Sequence, residues 1–411
     1  MIAFEEALRR VLDAATTLGC EKAPITGTLG RILGEDIIAA RDIPPDDNSA
    51  MDGFAVKAAD TKGAEKKNPV SLEVVEDIPA GRVPAKSVGS GQAARIMTGA
   101  LIPRGADAVV PVENTDTAEG RVAIHAEAKK GEHLRRRGED VKKGELVIPR
   151  GKVVRPPEIG MMASLGIASA SIYRKPTVAI IATGDEIVDI SDSPPPGAII
   201  SSNSYSLYAQ VMECGGIPVS LGISKDTKDD LLRHFREALR ADIVVSSGGV
   251  SMGAYDFVRD VMKEIGATIQ FWQVAQRPGK PVAFGTMGRT LFFGLPGNPV
   301  SSMITFEEYV RPAILKMSGH TNLFRKTVKA RLSGDFEKKK GLRYFARVRV
   351  TIEEGEYRAA LTGSQGSGIL KSMVEANAIL VIPEEVTALK QGDFADCQLI
   401  DEPVSGISDM R

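Results

Sequence analysis

The stretch from Ala241 to Asp256, ADIVVSSGGVSMGAYD, decides the fold of this chain. Ile243, Val244 and Val245 form a short β-branched run of the kind a buried strand uses, and Gly248-Gly249 break it. Beyond the break, Tyr255, Val258, Val261, Met262 and Ile265 recur at spacings of three and four and end at Gly266, which predicts a helix. A strand, a glycine turn and a helix start in succession present backbone N–H groups to an oxyanion, and Ser246, Ser247 and Ser251 add hydroxyls. Asp256 is the odd residue. A carboxylate beside an anion pocket makes physical sense if a divalent cation lies between them.

With 411 residues, the chain is too long for one core and implies about three or four domains. Lysine plus arginine (52) nearly equal aspartate plus glutamate (53), so no overall charge recruits nucleic acid or an acidic membrane. Cys20, Cys214 and Cys397 are far apart and lack C-x-x-C spacing, which argues against a disulfide framework or a zinc site and suits a reducing cytoplasm. His125, His133, His234 and His320 are equally scattered. No apolar run reaches the ~20 residues of a membrane span, and Glu5 and Glu6 do not fit a signal peptide.

Outward from the opening stretch, strand and helix patterns alternate. Val178 to Ala182, Pro218 to Ile223, Ile243 onward and Leu291 to Phe293 read as strands, with a further extended stretch from Ile269 to Gln273. Ser204 to Cys214, Lys228 to Leu239 and Val300 to Leu315 read as helices. That alternation predicts a central, doubly wound, mostly parallel α/β sheet domain over 176–325. Around it the sequence places an N-terminal helical and linker domain (1–44 with 145–175), an inserted all-β domain (45–144) and a C-terminal β-barrel-like domain (326–411). An apolar stripe from Phe4 to Leu18 predicts the first helix. In the last domain, Ala346, Val348 and Val350 alternate with Phe345, Arg347 and Arg349, which predicts an apolar face opposite a mostly basic one.

Ligands of open α/β sheets lie beyond the carboxyl ends of the strands. There the chain carries Thr183-Gly184-Asp185-Glu186, Lys225-Asp226, Ser246-Ser247-Gly248-Gly249 and Gly294-Leu295-Pro296-Gly297-Asn298-Pro299. Asn298 and Pro299 also suit the cap and first position of a helix. Arg277 and Lys280 flank the turn Arg277-Pro278-Gly279-Lys280-Pro281, a shape that presents cations to an anion and also occurs without any ligand. Gly363-Ser364-Gln365-Gly366-Ser367-Gly368 fails as a P-loop, because Ile369 follows the last glycine where lysine should stand. The acidic stretch Asp46 to Asp52 and the triplet Arg135-Arg136-Arg137 read either as solvated faces or as ligand contacts.

Taken in order, Ser49 to Val56 (SAMDGFAV), Ile96 to Ala100 (IMTGA), Arg137 to Asp140 (RGED), Thr183 to Glu186 (TGDE), Ser247 to Ser251 (SGGVS), Pro278 to Pro281 (PGKP) and Gly294 to Pro299 (GLPGNP) resemble the molybdopterin molybdenumtransferase family, that is, the MoeA proteins and the E domain of gephyrin. Seven motifs in one order cover nearly the whole chain. The resemblance implies an enzyme of molybdenum cofactor synthesis that inserts molybdate into adenylylated molybdopterin, releases AMP and requires Mg2+. It also implies a cytoplasmic homodimer whose cleft is completed by the partner subunit's β domains. Transient contacts with the adenylylating enzyme and with molybdoenzyme apoproteins belong to the same expectation.

By the same resemblance, Asp185, Glu186, Asp226 and Asp256 are cation and pyrophosphate-side residues. Thr183, Gly184, Ser247, Gly248, Gly249 and Ser251 bind the pterin phosphate side. Asp52, Thr98 and Asp140 join Glu186, Asp226 and Asp256 as the catalytic set, contributed across the dimer. Arg277, Lys280, Pro296, Gly297, Asn298, Pro299, Arg347 and Ser367 line the molybdate and nucleotide pocket. No nucleophilic serine is expected. Many relatives carry lysine at the positions of Gln273 and Arg277. Tungstate insertion by the same chemistry and a gephyrin-like scaffold with little catalysis are the alternatives, and adenylyl transfer to molybdopterin is a third.

Overall fold

The β-branched runs of the α/β region assemble into one six-stranded sheet whose inner strands are buried on both faces and need helices on both sides. A computed structural model of the chain describes residues 1–250 and 257–405. The chain folds as two compact units, a larger one (Met1–Lys22, Gly30–Gly34, Ser171–Arg411) and a smaller one (Ala23–Leu29, Glu35–Ala170).

In the larger unit, helix α1 (Phe4–Ala14) is followed along the α/β region by β1 (Thr177–Thr183), α2 (Ser202–Glu213), β2 (Ile217–Ser224), α3 (Lys228–Ala238), β3 (Ile243–Ser247), α4 (Val258–Glu264), β4 (Thr268–Gln273), β5 (Pro281–Met287), β6 (Thr290–Leu295) and α5 (Pro299–Thr305). A π-helical turn (Phe306–Val310) joins α5 to α6 (Arg311–Met317). The strand order is β2-β1-β3-β6-β5-β4. The first four strands are parallel, and β5 and β4 extend the sheet antiparallel. Sequence patterning misses β5, whose proline start and internal Gly285 are both disfavoured in strands.

Alternate residues of each strand serve opposite layers. Val178, Ile180 and Val245 join the core under α1, α2, α5 and α6, whereas Ala179, Ile181 and Val244 face α3 and α4. In the second layer Phe235 stacks on Phe292 with ring centroids 6.2 Å apart. Truncating either ring to alanine costs about 3–5 kcal/mol. Phe4, Ala7 and Val11 bury the inner stripe of α1 in the first layer, with Phe4 against Tyr309 and Phe345. The helix stops at Ala14, short of Leu18, but Ala15 and Leu18 stay in the same core.

The larger unit ends in a closed barrel of β7 (Thr327–Leu332), β8 (Arg343–Glu353), β9 (Glu356–Leu361), β10 (Ala378–Ile382) and β11 (Phe394–Leu399). Pairings β8–β9, β9–β7, β7–β11, β11–β10 and β10–β8 close the ring and leave no free edge. Here one expectation changes. Phe345 to Val348 are all buried, Arg347 included at 1% exposure, so β8 has no basic solvent face along this stretch.

In the smaller unit, strands Ala108–Pro111, Gly53–Val56, Gln92–Ile96, Glu65–Ile78, Arg121–Ala126 and Thr115–Ala118 form a sheet in that order, and helix Pro156–Ser164 follows. Arg155 caps that helix through Glu158, whose carboxyl is held down to about 2, first of all by the Arg155 side chain. Among the described residues no helix is long and apolar enough to cross a membrane.

Candidate functional site

The connection from β1 runs to β2 on one side, whereas β3 lies on the other side of β1, so the winding reverses between β1 and β3. A cleft of about 620 Å³ opens at that point. Thr183 ends β1 there with Gly184 after it, Ser247 ends β3, and Gly248 and Gly249 follow it. Thr183 Oγ1 donates to the Ser247 carbonyl at 3.3 Å, which ties the two strand ends together. Gly248 has φ +99°, and a Cβ there would come within 2.5 Å of the Thr183 carbonyl oxygen. Only glycine passes so close to the neighbouring strand.

Pro296, Gly297, Asn298 and Pro299, at the end of β6 and the start of α5, form another wall. Asn298 sits at the cap position with Pro299 next, yet its side chain makes no capping hydrogen bond, so it is not committed to the helix. Glu186 and Asp226 supply the cleft's acidic side chains, and among the described residues no lysine, arginine or histidine lines it. Ser251 and Asp256 lie outside the described residues.

Sequence reasoning missed Asn203. Helix α2 begins at Ser202, two residues before the predicted start, and this puts Asn203 in its first turn and in the cleft wall. Its Nδ2 donates to Ser247 Oγ and to the Gly297 carbonyl, both at 2.8 Å, and so it joins α2 to the ends of β3 and β6. The run Ser201-Ser202-Asn203-Ser204 was the available signal, since every member is a favoured helix cap.

Charge in the cleft is uncompensated. The Asp226 backbone N–H donates to Asp185 Oδ1 at 3.1 Å, and the Asp226 carboxyl is pushed up first by burial, then by the negative charges of Asp185 and Glu186. No ion pair to any of the three appears among the described residues. Nor do the described residues contain a preassembled group of three metal-ligating side chains. Mg2+ is usually held by one or two carboxylates together with substrate phosphate oxygens, so this donor set fits a hard cation that arrives with an anion.

A second cavity, of about 510 Å³, lies on the other side of the Arg277–Pro281 turn and of the loop around Ser364 to Gly368. Pro281 and Gly368 line the first cleft, while Arg277, Pro278, Ser364, Gln365 and Gly366 line the second. The turn is rigid. Gln276 is fully buried, accepts from the Tyr309 hydroxyl and donates to the Pro278 carbonyl at 3.1 Å, and Gly279 (φ +84°) leaves no room for a Cβ against Thr305. Arg277 and Lys280 are exposed, and neither has a carboxylate partner among the described residues.

Arg347, expected to offer its charge to molybdate, lines this second cavity and is at the same time bonded to the loop. Its guanidinium donates to Ser372 Oγ at 3.0 Å and to the carbonyls of Ser364 (3.3 Å), Gln365 (3.3 Å) and Gly366 (3.0 Å). The Ser367 carbonyl then accepts from Val300 N–H at 3.1 Å, which fastens the barrel's loop to the start of α5. Within the chain, the C-terminal barrel's loop contributes Gly368 to the cleft wall.

In the smaller unit, the Asp52 carboxylate accepts from the Thr98 hydroxyl (2.6 Å) and the Thr98 backbone N–H (2.7 Å), and these bonds hold its pKa below the ordinary carboxylate range. Asp140 is exposed, with its backbone N–H on the Ile43 carbonyl. The arginine triplet is largely occupied. Arg136 pairs with Asp47 at 2.7 Å and Arg137 with Asp42 at 2.6 Å.

Known proteins resemble this chain over nearly its whole length. Residues 2–166 match the MoeA N-terminal region (domain I and II), 179–316 a probable molybdopterin binding domain and 329–400 the MoeA C-terminal region (domain IV). The chain belongs to the MoeA family. The molybdopterin molybdenumtransferase of Bacillus subtilis is 36% identical over 98% of this chain and 94% of its own length. A molybdopterin molybdenumtransferase 2 of Mycobacterium tuberculosis is 38% identical over 90% and 92%. A molybdopterin biosynthesis MoeA protein of Pyrococcus horikoshii superposes with a TM-score of 0.84 at 33% identity, covering 98% of this chain and all of that one. The doubly wound sheet and the closed barrel are thus features of a MoeA-type architecture.

Proposed function

We propose that the chain inserts molybdate into the dithiolene of adenylylated molybdopterin and releases AMP. The observation that carries this reading is the pairing of two unlike cavities across one rigid turn, one acidic and lined by strand-end amides, the other presenting a cation with no carboxylate partner among the described residues. Family membership supplies the reaction class.

In this reading the turn Ser247-Gly248-Gly249, with Thr183 and Gly184, receives phosphate oxygens through backbone N–H groups and hydroxyls. Glu186 and Asp226, with Asp185 behind them, would hold Mg2+, and Asp256 belongs to the same proposed set. Held there, such an ion would supply charge neutralisation to the anhydride. Pro296 to Pro299 and Asn203 fix the walls. Arg277 and Lys280 receive the molybdate dianion, and Arg347 acts indirectly by shaping the loop that carries Ser367. Asp52, Thr98 and Asp140 remain proposed as residues supplied across a cytoplasmic homodimer. The four-domain division of the chain stands with them as a proposal.

The test is AMP release from purified adenylylated molybdopterin in the presence of Mg2+. The reading expects release only when molybdate is added, with tungstate as a parallel arm that measures selectivity. Release indifferent to both oxyanions would refute it, and AMP-forming consumption of ATP with free molybdopterin would favour adenylyl transfer instead.

A further inference from the structure

We infer that Tyr344 is a positioning residue for the oxyanion, setting the guanidinium of Arg277 at the mouth of the second cavity. This rests on the proposal that this cavity takes the dianion. The backbone creates the pairing. Gln276 and Arg277 run parallel to the start of β8, in a register that places Arg277 beside Tyr344. Neighbouring strands at such a pair bring the two side chains onto one face. Arg277 Nη1 donates to the Tyr344 hydroxyl at 3.2 Å, and its guanidinium carbon lies 5.5 Å from the ring centroid. Tyr344 is itself braced edge-on by Phe336, with ring centroids 6.1 Å apart.

The surroundings leave the cavity cationic. Asp335 and Glu337 line it, but Lys390 pairs with both, at 3.0 and 3.4 Å. Lys338 adds a second positive charge 5.3 Å from the Tyr344 ring, its Nζ donating to the carbonyls of Leu342 (2.9 Å) and Glu384 (3.2 Å). Arg277 therefore keeps N–H donors free for a tetrahedral dianion while the phenol restricts its rotamers. An unrestrained arginine loses considerable side-chain entropy on binding, and a held one loses less. A lysine at position 277 has no planar fork to stack and no comparable gain from the tyrosine.

The experiment is a double-mutant cycle read by calorimetric titration of molybdate into the full-length protein. Tyr344→Phe, which keeps the ring and removes the hydroxyl, should weaken binding about threefold, and Tyr344→Leu about tenfold. In an Arg277→Lys background the same changes should cost less than about half as much on a logarithmic scale. Melting curves accompany each variant, and the Tyr344→Phe arm of the cycle decides the matter if the leucine variant does not fold. Equal losses in both backgrounds, or no loss in either, would overturn the positioning role. Failure of the unmodified protein to bind molybdate or tungstate would instead overturn the functional reading on which it rests.

Discussion

The two cavities of the larger unit differ in what they offer a charged ligand, although both sit beside the same turn. The cleft between β1 and β3 carries Glu186 and Asp226 and, among the described residues, no basic side chain, so an anion there must rely on backbone N–H groups and on a cation from outside. The cavity beyond the turn has an exposed arginine that donates to a phenol rather than to a carboxylate, and its own two acids, Asp335 and Glu337, share an ion pair with Lys390. On the proposed function, one region takes phosphate together with a metal and the other a bare dianion. A single cavity doing both would set its cations against its own carboxylates.

The strongest way to break this contrast is in the acidic cleft. Glu186→Gln or Asp226→Asn should lower Mg2+-dependent AMP release on the order of 10²–10³-fold, the usual cost of removing one electrostatic stabiliser from an active site. Molybdate affinity measured by titration should stay within about twofold, because the affected carboxylates line the other cavity. Full activity in either variant would remove that residue from the cation set.

The next effect concerns the loop shared by both regions. Arg347→Met removes the donor to three backbone carbonyls and the Ser372 hydroxyl, and the fold should lose about 3 kcal/mol in urea titration. A variant as stable as the parent, but unable to bind molybdate, would return Arg347 to the role of direct oxyanion contact.

A smaller effect follows from the raised pKa of Asp226. A carboxyl whose folded pKa lies above its unfolded value is more protonated in the fold, so stability falls as pH rises from the ordinary carboxylate value through the raised one. Asp226→Asn should therefore melt above the parent at pH 7, by less than about 1 kcal/mol after solvent screening. The gap should close as the pH drops below the ordinary carboxylate range, and Mg2+ should narrow it at pH 7.

Much of this contrast is legible in the sequence, for reasons that can be named. Val178 to Ala182 and Ile243 to Val245 are β-branched runs buried on both faces, and the polar and glycine-rich residues after them mark strand ends at the reversal of winding. What the sequence hides are partners distant in the chain. Arg347 reads as part of a basic face because alternation cannot reveal a loop folded over it. The pairs Arg136–Asp47 and Arg137–Asp42 join residues far apart in the chain, so the triplet looks free until the smaller unit folds. Asn203 escapes notice because the helix starts two residues before its apolar pattern does, and β5 because of its proline and glycine.

On the proposed function, metal-assisted phosphate chemistry and oxyanion capture occupy different cavities. The most direct test is the initial rate of AMP release over a grid of Mg2+ and molybdate concentrations, for the parent and for Arg277→Gln. The account predicts that Arg277→Gln raises the molybdate concentration for half-maximal rate about tenfold and leaves that for Mg2+ within about twofold. A variant in which both half-saturation values rise together would contradict it.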